Sequence, residues 1–220
     1  MWKRKYVWEF PVRLQHWLHV VAMLALTVTG VYVASPFLGL AAGQTVDTHI
    51  TDWMRFSHFV AAWILGLGFL VRLYWFFVGN EFARWSGWLP LGREKLRGLV
   101  KQMRYYLFLD RVRPRYTGVN PVSGLTYLFL GVILVLQGAT GIALYAEPLP
   151  GGFWRATFGW MLTTFGPQAV RFTHHALMYI FAIFLLVHLY MMVLGDIEEG
   201  NAPVTGIISG WKFEPAEKEE

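Results

Sequence analysis

"THHALMYIFAIFLLVH", residues 173–188, sets three histidines in an otherwise apolar and aromatic stretch. Two adjacent imidazoles open it and a third closes it. Lipid offers an imidazole no partner, and an ionisable group inside a membrane segment is costly enough to mark function by default. Whether these three histidines share one role decides how the segment, and the chain around it, is to be read.

The composition settles the solvent first. Of the 220 residues, 55% are hydrophobic and only 15% charged, with a mean hydropathy of +0.41. Soluble domains carry about a quarter of their residues charged. Four apolar runs stand out, at about 14–34, 56–78, 123–146 and 169–194, each near the roughly 20 residues that cross a bilayer core. Hydrocarbon offers no water to backbone amides, so each run is expected to be a helix. The fold class expected is an all-α integral membrane protein, a single four-transmembrane-helix bundle over 1–220. The first run follows a basic segment but is too long for a signal-peptide core, and no small-residue cleavage site followed by a soluble domain succeeds it. Cysteine is absent. That excludes disulfides, iron–sulfur ligation by cysteine and covalent haem attachment. No internal repeat is visible.

Charge gives the expected topology. Lys3, Arg4, Lys5 and Arg13 lie before or at the first span. Arg84, Arg93, Lys95, Arg97, Lys101, Arg104, Arg111, Arg113 and Arg115 lie between the second and third. The other two connections hold only Arg55 and Arg155. The positive-inside rule therefore predicts a cytoplasmic N-terminus, a cytoplasmic loop at about 80–121 and a cytoplasmic tail at 195–220. Basic residues distributed this way serve topology rather than nucleic-acid binding, which needs them on one soluble face. Within the loop, 92–110 alternates basic residues with Leu96, Leu99, Val100, Met103 and Leu107. That spacing predicts an amphipathic helix on the anionic inner leaflet. On the other side, FWRATFGWMLTTF (153–165), bounded by Gly151–Gly152 and Gly166–Pro167, predicts a short interfacial helix: a docking surface or simply an aromatic belt.

Helical phase then sorts the histidines. His174 and His188 are separated by about 1400° of helix, roughly 40° short of four turns, and share a face. His175 and His188 are about 220° out of phase and do not. Along the axis His174 and His188 lie about 21 Å apart, one in each leaflet. With the expected topology, His16 on the first span falls at the depth of His188, and His58 on the second at the depth of His174. Two pairs of neutral imidazoles between helices match the requirement of six-coordinate b-type haem. Zinc or di-iron sites use more ligands, commonly carboxylates, and these depths contain no Asp or Glu. Geometry leaves His19, one turn deeper than His16, open as the inner ligand. His175 reads as a polar contact to another helix or to a partner, and His49 falls in a loop.

Arginine precedes histidine by three residues in Arg13–His16, Arg55–His58 and Arg171–His174. Each is placed one turn toward the surface, where it can pair with a haem propionate or snorkel. Gly124, Gly131 and Gly138 recur every seventh residue, leaving room for a planar group or a neighbouring helix. Gly30 lies on the same face as His16 and can make room for the outer haem.

RLQHWLHVVAMLALTVTG (13–30) and RFTHHALMYIFAIFLLVH (171–188) resemble the two signature regions of the cytochrome b subunit of membrane-bound nickel–iron uptake hydrogenases. VRLYWFFVGNEFAR (71–84) and GVNPVSG (118–124) resemble that family's segments after its second helix and before its third. The likeness covers about 6–210. It implies two haem b groups and a bacterial inner-membrane location. It further implies an anchor for a periplasmic hydrogenase with an iron–sulfur small subunit and a large subunit. Quinone is then the electron acceptor. Such a subunit does not oxidise hydrogen itself; it serves electron transfer in a hydrogen:quinone oxidoreductase complex. Carried over residue by residue, the ligands fall on His16, His58, His174 and His188, which decides for His16 over His19. Tyr179 departs from the family, which commonly has Trp there. Trp8, Glu9, Gln15 and Asn120 are candidates near the quinone. Cytochromes b of formate dehydrogenase and thiosulfate reductase share this four-helix logic and form the rival reading. A haem-free transporter using histidines as proton relays is a further alternative.

Overall fold

The computed structural model describes residues 2–36, 48–199 and 203–215. Much of the first connection, between the first and second spans, and the end of the acidic tail therefore lie outside the described residues. The chain begins with strand β1 (Trp2–Tyr6) and helix α1 (Phe10–Ala34). Then come α2 (Thr48–Val78), the single turn α3 (Trp85–Trp88) and α4 (Arg93–Tyr106). They are followed by α5 (Pro121–Ala146), α6 (Phe153–Phe158), α7 (Trp160–Phe165) and α8 (Pro167–Glu199). A short α9 (Pro203–Ser209) and strand β2 (Trp211–Pro215) close it.

All four apolar runs are helices, α1, α2, α5 and α8, and each is long and apolar enough to cross a membrane. In α8 only 6% of the most apolar stretch is buried within the chain. An apolar surface that bare calls for lipid or a partner, which makes this a multi-pass membrane protein. Two helix starts follow from local chemistry. Asn120 Oδ1 accepts from Ser123 N at 2.8 Å, capping α5, and Pro121 occupies its first turn. Pro167 begins α8 after Gly166, whose φ of 83° breaks the preceding helix.

Three expectations change. The second span begins earlier than 56, so His49 stands in the first turn of α2 rather than in a loop. The single interfacial helix expected over 153–165 divides at Gly159 into α6 and α7, glycine being a poor helix former. The chain is also not wholly helical. β1 pairs with β2 in an antiparallel ribbon from Trp2↔Pro215 to Tyr6↔Trp211. Neither strand alternates cleanly between apolar and polar residues, and the two lie at opposite ends of the sequence. Their pairing is thus a long-range event with no hairpin signal.

The chain forms two compact units. The first comprises 1–17, 69–130 and 186–220. Its ribbon is pinned by Gly210, whose φ of 90° turns the chain into β2. The Gly210 carbonyl accepts from Val7 N at 2.8 Å and Trp8 N at 3.1 Å. A Cβ there would meet Tyr6 Cε2 at 2.6 Å and Trp8 O at 2.8 Å, so only glycine fits. Arg4 lies over the Trp211 ring at 4.2 Å. Beside the ribbon, Glu9 Oε2 accepts from Trp75 Nε1 at 3.0 Å and from Asn80 N at 2.9 Å. Asn80 Nδ2 in turn donates to Val7 O at 2.9 Å. Gly124 lets α5 approach Trp88 closely, since a Cβ would sit 2.3 Å from the Trp88 carbonyl oxygen. On α4, Gln102 is buried while Leu96, Val100 and Met103 are exposed. Among the described residues much of its apolar face thus has no covering element.

The second unit comprises 18–68 and 131–185. Small residues bring its helices close: Ala22 of α1 meets Ala61 and Leu65 of α2, with Leu134 of α5 packed against them. A second cluster joins Ala143 of α5 to Met161, Leu162 and Val170.

Candidate functional site

The first unit brings two expected ligands together. His16 of α1 and His188 of α8 have ring centroids 6.4 Å apart, with planes inclined at 52°. Two imidazoles this close, brought together from different helices, could serve one metal-bearing group as nitrogen donors. Trp17 stands edge-on to His16 at 5.2 Å.

In the second unit, His58 of α2, His174 of α8 and His175 lie within electrostatic reach of one another. His58 Nδ1 is 2.9 Å from Thr29 Oγ1 on α1. His174 Nδ1 is 3.0 Å from Thr140 Oγ1 on α5, and its Nε2 is 3.3 Å from Gln137 Nε2. Gly30 lies against the His58 ring, where a Cβ would come within 3.4 Å of Cε1. Gly141 does the same more tightly for His174, at 2.9 Å from Cε1. Thus Gly30 makes room for the His58 ring itself. Of the heptad-spaced glycines, Gly124 admits Trp88, while a Cβ on Gly138 would meet nothing within 4 Å.

His19 sits against α2. It is hydrogen-bonded to the backbone at Leu65, and its ring fills the space over Gly68, where a Cβ would sit 2.5 Å from Nε2. It is an interhelical contact between α1 and α2. His175 ring stands 6.2 Å from that of His174, and its reach to His58 makes it a polar neighbour of α2.

The three arginines differ. Arg13 Nη1 donates to the carbonyl of Ile208 at the end of α9, while its Nε is buried with no hydrogen-bond partner. Arg171 Nη2 pairs with Glu147 Oε2 at 3.0 Å. Arg55 is exposed on α2. Of the residues proposed near a quinone, Glu9 and Asn120 have the structural bonds described above, and Trp8 lies under the Lys212 ammonium at 5.8 Å. Thr29, Thr140 and Gly141 were not singled out as sequence. The available signal was the dipeptide Thr-Gly, which falls inside a span at 29–30 and at 140–141 and outside the spans at 117–118 and 205–206.

Among the described residues no group of three or more His, Cys, Asp or Glu could hold a metal unaided. The donor sets are pairs of imidazoles, which suit a metal whose other ligands come from a macrocycle. Residues 7–210 match the family model for prokaryotic cytochrome b561. The chain belongs to that family. Curated relatives agree over nearly the full length. The probable Ni/Fe-hydrogenase B-type cytochrome subunit of Azotobacter vinelandii is 37% identical over 212 residues, covering 94% of this chain and 88% of the relative. That of Azotobacter chroococcum mcd 1 is 36% identical over the same length. The probable Ni/Fe-hydrogenase 1 B-type cytochrome subunit of Escherichia coli K12 is 29% identical over 216 residues, covering 94% and 90%. As a cytochrome b of this family, the protein carries haem b in electron transfer, and its paired imidazoles fit that group.

Proposed function

We propose that this cytochrome b is the membrane anchor and electron-transfer subunit of a nickel–iron hydrogenase. It holds two haem b groups, one between His16 and His188 and one between His58 and His174, in a single membrane domain. Electrons from hydrogen oxidation by the periplasmic large subunit arrive through the iron–sulfur small subunit. They enter at the His58/His174 pair and leave from the His16/His188 pair to quinone. The protein lies in the bacterial inner membrane with both termini cytoplasmic, a reading its basic N-terminus and basic 80–121 loop support. When bound, haem supplies one-electron carriage by its iron.

One observation carries this reading: α8 supplies one histidine to each of two pairs, completed by α1 and by α2. The 6.4 Å spacing of the first pair supports it directly. The chain's own contribution is orientation and burial. Neutral imidazoles are poised as donors, apolar spans exclude water, and the cations of Arg13, Arg55 and Arg171 would pair with propionates, Arg13 and Arg171 in exchange for Ile208 O and Glu147. At His174, the Gln137 amide beside Nε2 would have to give way for that nitrogen to hold an iron. The relatives' names support the hydrogenase as partner.

The test is a pyridine haemochrome on purified protein. Two haems per chain are expected. His174→Ala and His58→Ala should each remove one, and His16→Ala and His188→Ala the other, whereas His175→Ala should leave both. One haem in the unaltered protein, or loss of haem from His175→Ala alone, would overturn the assignment. Co-purification with hydrogenase subunits tests the partner, and formate dehydrogenase or thiosulfate reductase subunits in their place would replace it.

A further inference from the structure

Two spans contain the dipeptide Thr-Gly, and each dipeptide cradles one histidine. On α1, Thr29 Oγ1 lies 2.9 Å from His58 Nδ1 while Gly30 faces the same ring. On α5, Thr140 Oγ1 lies 3.0 Å from His174 Nδ1 while Gly141 faces that ring. Both threonines are buried. The glycine matters because the imidazole must come close to the helix backbone for Nδ1 to reach the hydroxyl. A Cβ at 141 would stand 2.9 Å from His174 Cε1 and push the ring away.

The direction of these hydrogen bonds follows from counting protons. A threonine hydroxyl has one hydrogen to give and lone pairs to receive. Thr29 Oγ1 gives its hydrogen to Ala25 O, at 2.6 Å, one turn back on α1. Thr140 Oγ1 gives its own to the carbonyls of Leu136, at 2.9 Å, and Gln137, at 3.0 Å. Each hydroxyl can therefore only accept from the imidazole. A neutral imidazole carries one N–H, so both histidines hold the proton on Nδ1 and present a bare lone pair on Nε2. The Gln137 amide nitrogen beside His174 Nε2 is consistent with this, because an N–H donor needs that lone pair.

We infer that Thr29 and Thr140 are positioning residues that fix the tautomer and ring orientation of His58 and His174, so that both offer Nε2 to the same iron. This rests on the two-haem reading above. The hydroxyls act through the histidines. An Nδ1–H bonded to an oxygen makes the imidazole more basic and favours the oxidised iron. The sequence chemistry needed is small: a hydroxyl that is already engaged with its own helix, followed by a residue with no side chain.

The test compares Thr29→Val and Thr140→Val with Thr29→Ser and Thr140→Ser in the purified full chain. Valine keeps the shape and removes the hydroxyl; serine keeps the hydroxyl. Each valine variant should raise the midpoint potential of one haem and leave the other unmoved, and should weaken haem retention at that site by about tenfold. Serine should restore both readouts. Unchanged potentials and retention in both valine variants would overturn the inference, as would serine variants that behave like valine. If a valine variant loses the haem outright, retention by its serine counterpart supports the role and loss in both refutes it. Failure of the underlying reading looks different. There, His58→Ala and His174→Ala would leave two haems in place, whatever the threonine variants do.

Discussion

The two units are each tied together by different polar groups. In the second unit the holding groups come from the spans themselves: a hydroxyl and a glycine, adjacent in sequence, against each ring. In the first unit the order comes from chain ends and loops. The β1–β2 ribbon, the Glu9 carboxylate and the Asn80 side chain tie the start of α1 to the end of α2 and to the tail. The difference follows from solvent. Inside a span a polar group must be satisfied by something already there, and a threonine bonded to its own helix is an inexpensive acceptor. Near the surface, water competes for every polar group, and a fixed arrangement needs several bonds acting together.

The largest effect that sharpens this comparison is expected from Gly141→Val. Its Cβ would lie 2.9 Å from His174 Cε1, and the γ-methyl groups would extend further into the same space. The ring cannot then reach Thr140. We expect loss of one of the two haems, read by haemochrome. Gly30→Ala, whose Cβ meets His58 Cε1 at 3.4 Å, should lower occupancy of the same haem without abolishing it. Equal effects at the two positions would break the parallel between the cradles.

That contrast also explains what could be read in advance. The four spans were legible because each is a long apolar run, and hydrocarbon admits little else. The helical phase of His174 and His188 was legible because it depends only on the 3.6-residue repeat. The choice between His16 and His19 was not fixed by phase. What phase could not show is Gly68, 49 residues on in sequence, whose missing side chain gives the His19 ring a place on α2. The ribbon was hidden for the same reason: WKRKY and WKFEP have little strand pattern alone, and their pairing joins the two ends of the chain. Thr29 and Thr140 were overlooked because threonine bonded to its own helix is ordinary. Only the nearby imidazole, on another helix, gives the hydroxyl a second role.

A middling effect is expected in the first unit. Glu9→Ala removes one acceptor from two donors, Trp75 Nε1 and Asn80 N, both partly buried. Leaving such donors unmatched costs about 1–3 kcal/mol. Thermal unfolding in detergent should show the loss, while haem content and the potential of the His58/His174 haem stay as they were. If that haem shifts, the separate treatment of the two arrangements is wrong.

The smallest effect should come from the Arg104–Asp110 pair after α4. Its geometry is good, with Arg104 Nε and Nη2 donating to the two carboxylate oxygens at 2.9 and 3.0 Å. The hydrogen bond from Arg104 holds the Asp110 carboxyl below its usual range. A depressed carboxyl adds stability above its unfolded pKa, and that contribution is lost as pH falls through the lower folded value. The pair is solvent-exposed, however, so water and salt screen nearly all of it. Asp110→Asn should therefore leave the thermal midpoint at neutral pH, and its fall on acidification, indistinguishable from the unaltered protein. A clear loss would mean that this loop is pinned by a surface ion pair, as the interior of the first unit is pinned by Glu9. Geometry alone would then be a better guide to strength here than solvent exposure.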